Sequence, residues 1–233
     1  MKIDGTKYIK FLEYLAINKW RSPSQLGQDL FVMYFLGGIK DGFFIEIGAC
    51  DGIHLSNSLR LEKLGWSGII SEPSPFWIKK IKNRKCIIST KAVFNVSNTK
   101  LDFSIIENYP DLSGLKNSFD KDDNDKLRKD SKLHKVETIT LNDLIEQKAS
   151  NNNINYISID TEGSEYEILK NFNFKKYNVD IFTIEHNFID SKRNVIFNLM
   201  MENDYLRVFQ NISQWDDWYI KKDNRILKEM TIK

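Results

Sequence analysis

The side chains best suited to chemistry come from two separated stretches, Asp160-Thr161-Glu162-Gly163 and Glu185-His186-Asn187. Each follows an apolar run of strand length, and the carboxyl ends of parallel strands are where open α/β sheets bind ligands. Side by side, the two ends would gather three carboxylates, an imidazole and an amide. Two chemistries fit that set. His186 titrates near neutrality and, oriented by an acid such as Asp160, would take a proton from a hydroxyl; it is the favoured base. Alternatively, Asp160 with Glu185 or Asn187 would hold a divalent, oxygen-seeking cation, Mg²⁺ or Mn²⁺, that acidifies a bound hydroxyl. Glu162 is either a second catalytic acid or the first-turn acid of the next helix. His54 and His134 have no comparable company.

A second constellation opens the sheet. In FFIEIGACDG, Phe43 to Gly52, Glu46 interrupts a strand that reads as buried on both faces. An ionised carboxylate there needs a positive or multi-donor partner. A sulfonium ligand carrying an amino group would supply one, and an internal salt bridge is the competing reading. Gly48-Ala49-Cys50-Asp51-Gly52 then allows a sharp turn and close backbone approach of a ligand. The dinucleotide fingerprint is absent, because its glycine places, counted from Gly48, hold Gly48, Cys50 and Ile53. Roughly twenty residues beyond the loop, Glu72 ends the next strand where ribose hydroxyls of an adenosine-containing cofactor would lie. Together the two acids suit an adenosyl cofactor.

These groups need a sheet to hold them. Apolar patterning predicts an opening helix over 7–20 and strands over 43–49, 67–72, 86–94 and 101–106, with helices over 55–64 and 75–83 between them. It continues with helix 140–148, strand 155–161, helix 164–171, strand 180–186, helix 190–202, and closing strands near 205–211 and 217–221. Strands separated by helices imply a mostly parallel sheet covered on both faces. Residues 1–24 read as an N-terminal helix and lead-in, and 25–233 as one domain with a polar excursion at about 110–135. Its core, Asp120 to Lys135, mixes both charge signs and reads as a solvated excursion, with a lid over a site as the alternative.

Bulk properties bound the partners. The 233 residues carry a net charge of +2, so no basic field marks a nucleic-acid binder. No apolar run is long enough for a membrane span, and the charged N-terminal stretch does not look like a secretory signal, so the expectation is cytoplasmic. Cys50 and Cys86 form neither a disulfide framework nor a zinc pattern and read as free thiols.

Taken in order, SQLGQDLFV (Ser24 to Val32), FFIEIGACDGIHLSNSLRLEKLGWSGIISEPSP (Phe43 to Pro75), VETITLNDLI (Val136 to Ile145), ISIDTEGSEYEILK (Ile157 to Lys170) and IEHN (Ile184 to Asn187) resemble the motifs of FkbM-type S-adenosylmethionine-dependent methyltransferases. The resemblance covers most of the chain from Ser24 to about Trp218. It implies the seven-stranded class I methyltransferase sheet, Rossmann-like, with its last strand antiparallel. It further implies O-methylation of a hydroxyl on a sugar, glycan precursor or small natural product.

On this reading Glu46, Gly48, Ala49 and Asp51 line the methionine side of the cofactor, Glu72 its ribose, and Ala92 and Val93 its adenine. Asp160 also borders it. Ser56 and Asn57 contact its carboxylate or cap a helix, and Gln25 and Gln28 fold over it. An N-methyl or aminopropyl transferase and a non-catalytic methyltransferase-like binding domain are the alternatives. Tyr109 to Gly114 would line the acceptor pocket. In SQWDDWY, residues 213–219, the tryptophans either pack inward or face a sugar.

Overall fold

A computed structural model describes residues 5–119, 124–149 and 152–223. The chain opens with α1 (Gly5–Asn18) and α2 (Gln28–Leu36), followed by β1 (Phe43–Ile47), α3 (Leu59–Lys63), β2 (Ser67–Ser71), α4 (Ile78–Ile81) and β3 (Ile87–Ser89). Next come β4 (Ala92–Val93), β5 (Lys100–Ile105), β6 (Gly114–Leu115) and β7 (Lys132–Ile139). The second half runs α5 (Leu141–Lys148), β8 (Asn153–Ile159), α6 (Glu165–Leu169), β9 (Asn178–Glu185), α7 (Asp190–Glu202), β10 (Tyr205–Val208) and β11 (Asp216–Lys221).

Seven strands form one sheet in the order β10-β11-β9-β8-β1-β2-β3. Its pairings are parallel except at β11, which runs antiparallel to both neighbours. This is the class I methyltransferase sheet that the motifs imply. The chain reverses direction across the sheet at β1, between β2 and β8, so the loops after β1 and β8 flank a crevice.

Alternation of side chains decides what each strand end offers. Phe44, Tyr156, Ile181, Trp218 and Ile220 pack on the face covered by α1 and α2, with Phe11, Phe31 and Phe35. Ile45, Ile157, Phe182, Ile184 and Tyr219 pack on the opposite face, with Leu144, Ile168, Ile196 and Met200. With a period of two, Glu46 and Glu185 share the α2 face, while His186 continues the α7 face. α2, whose QDLFVMYFL is buried almost all round, has no polar stripe and therefore no helical periodicity to read.

Two expectations change. The strand over 86–94 divides: β3 closes the main sheet, whereas β4 pairs with β7 in a second sheet ordered β4-β7-β5-β6. The polar excursion also contributes structure, because β6 and β7 both pair with β5. β7 is exposed along its first half, so its charges mask the strand pattern. Residues 120–123 of the excursion lie outside the described residues. The second sheet packs over the β8 loop so closely that a Cβ on Gly114 would lie 3.2 Å from the Thr161 carbonyl oxygen.

Candidate active site

The carboxyl ends of β1, β2, β8 and β9 and the underside of the second sheet enclose a cavity of about 390 Å³. Its floor is the β1 loop. Gly48 takes φ +84°, and a Cβ there would lie 1.6 Å from the Asp160 carbonyl oxygen. Its amide bonds Ser71, and the Asp160 amide bonds Ile47, each at 3.0 Å. Three strand ends are thereby fastened together around one glycine.

Glu46 is buried in the cavity wall, but its oxygens are committed within the chain. Oε1 accepts from the Asn57 amide at 2.6 Å, and Oε2 accepts from the hydroxyls of Ser56 at 2.9 Å and Ser58 at 2.5 Å. Arg84 Nη1 lies 3.6 Å from the same oxygen. The carboxylate thus shapes the loop that enters α3, and the competing reading, an internal ion pair, describes its contacts. Ser56 Oγ also accepts from the amide of Leu59, the first residue of that helix, at 3.1 Å. Asn57 lines the cavity, donates to Ser158 at 3.0 Å, and leaves a buried Oδ1 without a hydrogen-bond partner.

Asp51 stands off the cavity wall and caps its own turn, accepting from Ile53 N at 2.8 Å and His54 N at 2.7 Å. Gln25 lines the cavity. Gln28 does not: it bridges Leu26 N and the buried Asp216 carboxylate, the latter at 2.8 Å. Ala49, Ala92 and Val93 supply apolar wall. Glu72 faces the cavity from the end of β2, accepting from Cys50 N at 2.9 Å and Ser74 N at 2.8 Å. Burial pushes its carboxyl up to about 7 against those two donors.

At the other end, oxygens of Asp160, Glu162 and Glu185 all lie within 4.8 Å of one another. Burial raises all three, Asp160 to about 7, Glu162 to about 8 and Glu185 well above the usual carboxylate range; Asp216 and Glu165 add to the rise of Asp160, Asp160 to that of Glu162, and Asp160 and Glu162 to that of Glu185. Arg128, from the charged excursion, pairs with Glu162 and stacks its guanidinium over Phe119 at 4.8 Å. Glu165, whose charge acts on all three, is itself held ionised despite its burial by Lys192 at 2.6 Å and by the amides of Thr161 and Gly163. Asn187, Phe188 and Trp215 complete this end, and Pro110 to Ser113 flank it.

His186, the favoured base of the sequence reading, does not reach the cavity. Its imidazole lies on the α7 face, fully buried, with Nε2 3.8 Å from Asp217. Strand alternation is the cause: Glu185 and His186 are consecutive and must point to opposite faces. Asp160 and Glu185 of the expected cation set lie together, Glu162 joins them as a third carboxylate, and Asn187 lines the same cavity. The two tryptophans of SQWDDWY divide, with Trp215 on the cavity wall and Trp218 stacked on Phe31 in the core at 4.7 Å.

A model of the methyltransferase FkbM domain matches residues 46–219. The chain belongs to that methyltransferase family. Its activity class is therefore methyl transfer from S-adenosylmethionine. No curated protein sequence matches the chain. Among solved structures, a fibrillarin/Nop5p complex is similar at 15% identity and TM-score 0.41, covering 87% of this chain and 81% of that one. TrmK of M. capricolum with S-adenosyl-homocysteine is similar at 13% and 0.39, covering 84% and 68%.

The cavity wall of this FkbM domain is suited to the cofactor: a glycine loop that admits no side chain, an unpartnered Asn57 Oδ1, and a carboxylate at the end of β2. No helix among the described residues is long and apolar enough to cross a membrane.

The raised acids have a consequence for the protein without ligand. Glu72, Asp160 and Asp216 near 7 and Glu162 near 8 bind protons more tightly folded than unfolded, where carboxyls titrate near 4. Their contribution favours folding at low pH and is lost as pH rises through about 7 to 8. Glu165 acts in the opposite sense, its contribution being lost as pH falls below about 4.5. The expected result is a melting temperature roughly 5–10 °C lower at about pH 8.5 than at about pH 5.5. Scanning calorimetry of the ligand-free protein would show it, and a flat or rising profile would contradict these environments.

Proposed function

We propose that this chain is an S-adenosylmethionine-dependent O-methyltransferase whose acceptor is a hydroxyl of a sugar, glycan precursor or small natural product. The observation that carries this reading is that one cavity is lined both by the Gly48 loop with Glu72 and by the clustered carboxylates of Asp160, Glu162 and Glu185. Gly48, Ala49, Asn57, Glu72, Ala92 and Val93 would hold the cofactor, which when bound supplies an electrophilic methyl group on a sulfonium.

The chain's own residues must place a hydroxyl, exclude water and accept a proton. Asp160 is the best-suited acceptor of that proton, because Glu185 hydrogen-bonds it and its own carboxyl is raised to about 7, where a base works near neutrality. Positioning of the acceptor falls to Trp215 and Phe188, whose rings suit the apolar faces of a pyranose. Arg128 over Glu162 helps to close the acidic end to water.

A second reading assigns the acidic end to Mg²⁺ or Mn²⁺, supported by three carboxylates within 4.8 Å. Such an ion would neutralise them and acidify the acceptor hydroxyl.

Calorimetric titration with S-adenosylhomocysteine beside NAD tests the cofactor, with Glu72→Ala as control. Binding on the order of micromolar is expected for the first ligand alone. In Glu72→Ala, loss of charge-assisted hydrogen bonds to the ribose should weaken it by at least about tenfold. Transfer of labelled methyl to a panel of glycosides, amino sugars and phenols, with Mn²⁺ or with a chelator, then tests the acceptor and the ion. Affinity for NAD without affinity for S-adenosylhomocysteine would defeat the proposal, and label found only on amines would move it to N-methylation.

A further inference from the structure

We propose that His186 is a positioning residue whose Nδ1 holds the Asn187–Phe188 hook at the rim of the cavity. Calling this the acceptor-side rim rests on the methyl-transfer reading above. The hook itself does not.

Asn187 and Phe188 have φ of +50° and +58°. Two consecutive residues with side chains in the left-handed region are uncommon and persist only where their surroundings fix them. Three hydrogen bonds do so here. Asn187 N donates to the Trp215 carbonyl at 3.2 Å, and Ile189 N to the His186 carbonyl at 2.9 Å. Phe188 N donates to His186 Nδ1 at 3.1 Å. That last bond requires a lone pair on Nδ1, so the ring proton resides on Nε2.

Nε2 looks toward a carboxylate whose charge is already compensated. It faces Asp217, whose carboxylate is already held by Arg193 at 2.7 Å and Arg207 at 3.0 Å. The Tyr219 hydroxyl adds a bond at 3.2 Å. At 3.8 Å Nε2 makes no hydrogen bond to Asp217, and two guanidiniums already compensate that carboxylate, so the orientation of the ring rests on Nδ1 and the Phe188 amide. The chain of contacts runs from α7 and β10 through Asp217 and His186 to the cavity rim. There Phe188 stands 66% exposed, edge-on to Trp215 at 6.3 Å.

The geometry predicts which replacement preserves the hook. An asparagine at 186 carries its amide oxygen where Nδ1 stands, two bonds from Cβ, and can accept from Phe188 N. Glutamine places its polar atoms one bond further out, near Nε2, and cannot. Amide exchange followed by NMR should therefore find Phe188 protected in the wild type and in His186→Asn. In His186→Gln and His186→Ala it should exchange at least about tenfold faster. Affinity for S-adenosylhomocysteine should stay within about twofold in all of them, because the hook adjoins the acidic end.

With whichever hydroxyl compound accepts label in the panel, His186→Gln should raise KM by about tenfold with kcat nearly intact. His186→Asn should restore it. Equal exchange in the Asn and Gln variants, a Phe188 amide unprotected in the wild type, or loss of kcat at unchanged KM would each overturn the proposal. Failure of the wild type to bind S-adenosylhomocysteine would instead strike the methyl-transfer reading. The exchange pattern, which needs no ligand, would still decide the role of His186.

Discussion

Gly48→Ala is expected to lower stability by roughly 2–5 kcal/mol and to abolish measurable binding of S-adenosylhomocysteine. Two costs combine. A side chain at φ +84° forces an L-residue into the left-handed region, at about 1–2 kcal/mol. The new Cβ would also stand 1.6 Å from the Asp160 carbonyl oxygen, so backbone must move, with an overpacking cost of about 1–3 kcal/mol. The movement parts the β1 and β8 loops, and with them the Cys50 amide that orients Glu72 and the carboxylates at the opposite end.

Gly52→Ala is the control. Its φ of +72° carries a similar backbone cost, but its Cβ would meet the flexible Arg84 side chain at 3.0 Å and Ile81 at 3.2 Å. Destabilisation without loss of ligand is expected there. Thermal unfolding and calorimetric titration of both variants decide the matter. Undiminished affinity in Gly48→Ala would mean that the strand-end junction does not build the cavity.

The contrast between these glycines shows what was legible in the sequence. That the chain turns sharply after β1 follows from GACDG alone. Which glycine touches another strand does not, because the contact is with Asp160, more than a hundred positions away. The sheet was readable since each buried strand is an apolar run bounded by polar turns. α2 escaped because a helix buried all round has no periodicity. β7 escaped because an exposed edge of alternating charge resembles solvated coil.

At the site, the carboxylates of the β8 and β9 ends were legible from strand-end position. The exclusion of His186 required the phase of alternation at β9, which only packing against α7 fixes. Arg84 and Arg128 were illegible for another reason. Arg84 lies among lysines and Arg128 among lysines and acids, and nothing local distinguishes a guanidinium that will be buried on Glu46 or Glu162 from its solvated neighbours. Glu46 itself was recognised as a buried acid, but whether a ligand or the chain would satisfy it depended on Arg84 and on three donors folded back from residues 56–58.

Asp160→Asn should leave S-adenosylhomocysteine affinity within about tenfold and reduce methyl transfer by about 10²–10⁴-fold, the range for loss of a general base. The amide keeps the shape of the carboxyl group and its ability to accept from Glu185, so the Gly48 junction and the cavity persist. What disappears is the proton acceptor. In the wild type, turnover should rise with pH through about 7, the value to which burial and the neighbouring acids bring Asp160. Below it the carboxyl is protonated and cannot take the hydroxyl proton; above it the carboxylate can.

The apparent value belongs to the trio together, because Glu162 at about 8 and Glu185, also raised well above the usual carboxylate range, release their protons in the same field. Asn at 160 removes one negative charge, so any residual limb should shift to lower pH as Glu162 ionises more readily. Three outcomes separate the mechanisms. A lost limb with retained cofactor binding assigns the base to Asp160. A limb intact in Asp160→Asn but lost in Glu162→Gln transfers the role to Glu162. Activity that vanishes with a chelator and returns with Mn²⁺ assigns the three carboxylates to a cation, in which case the limb would report the bound hydroxyl.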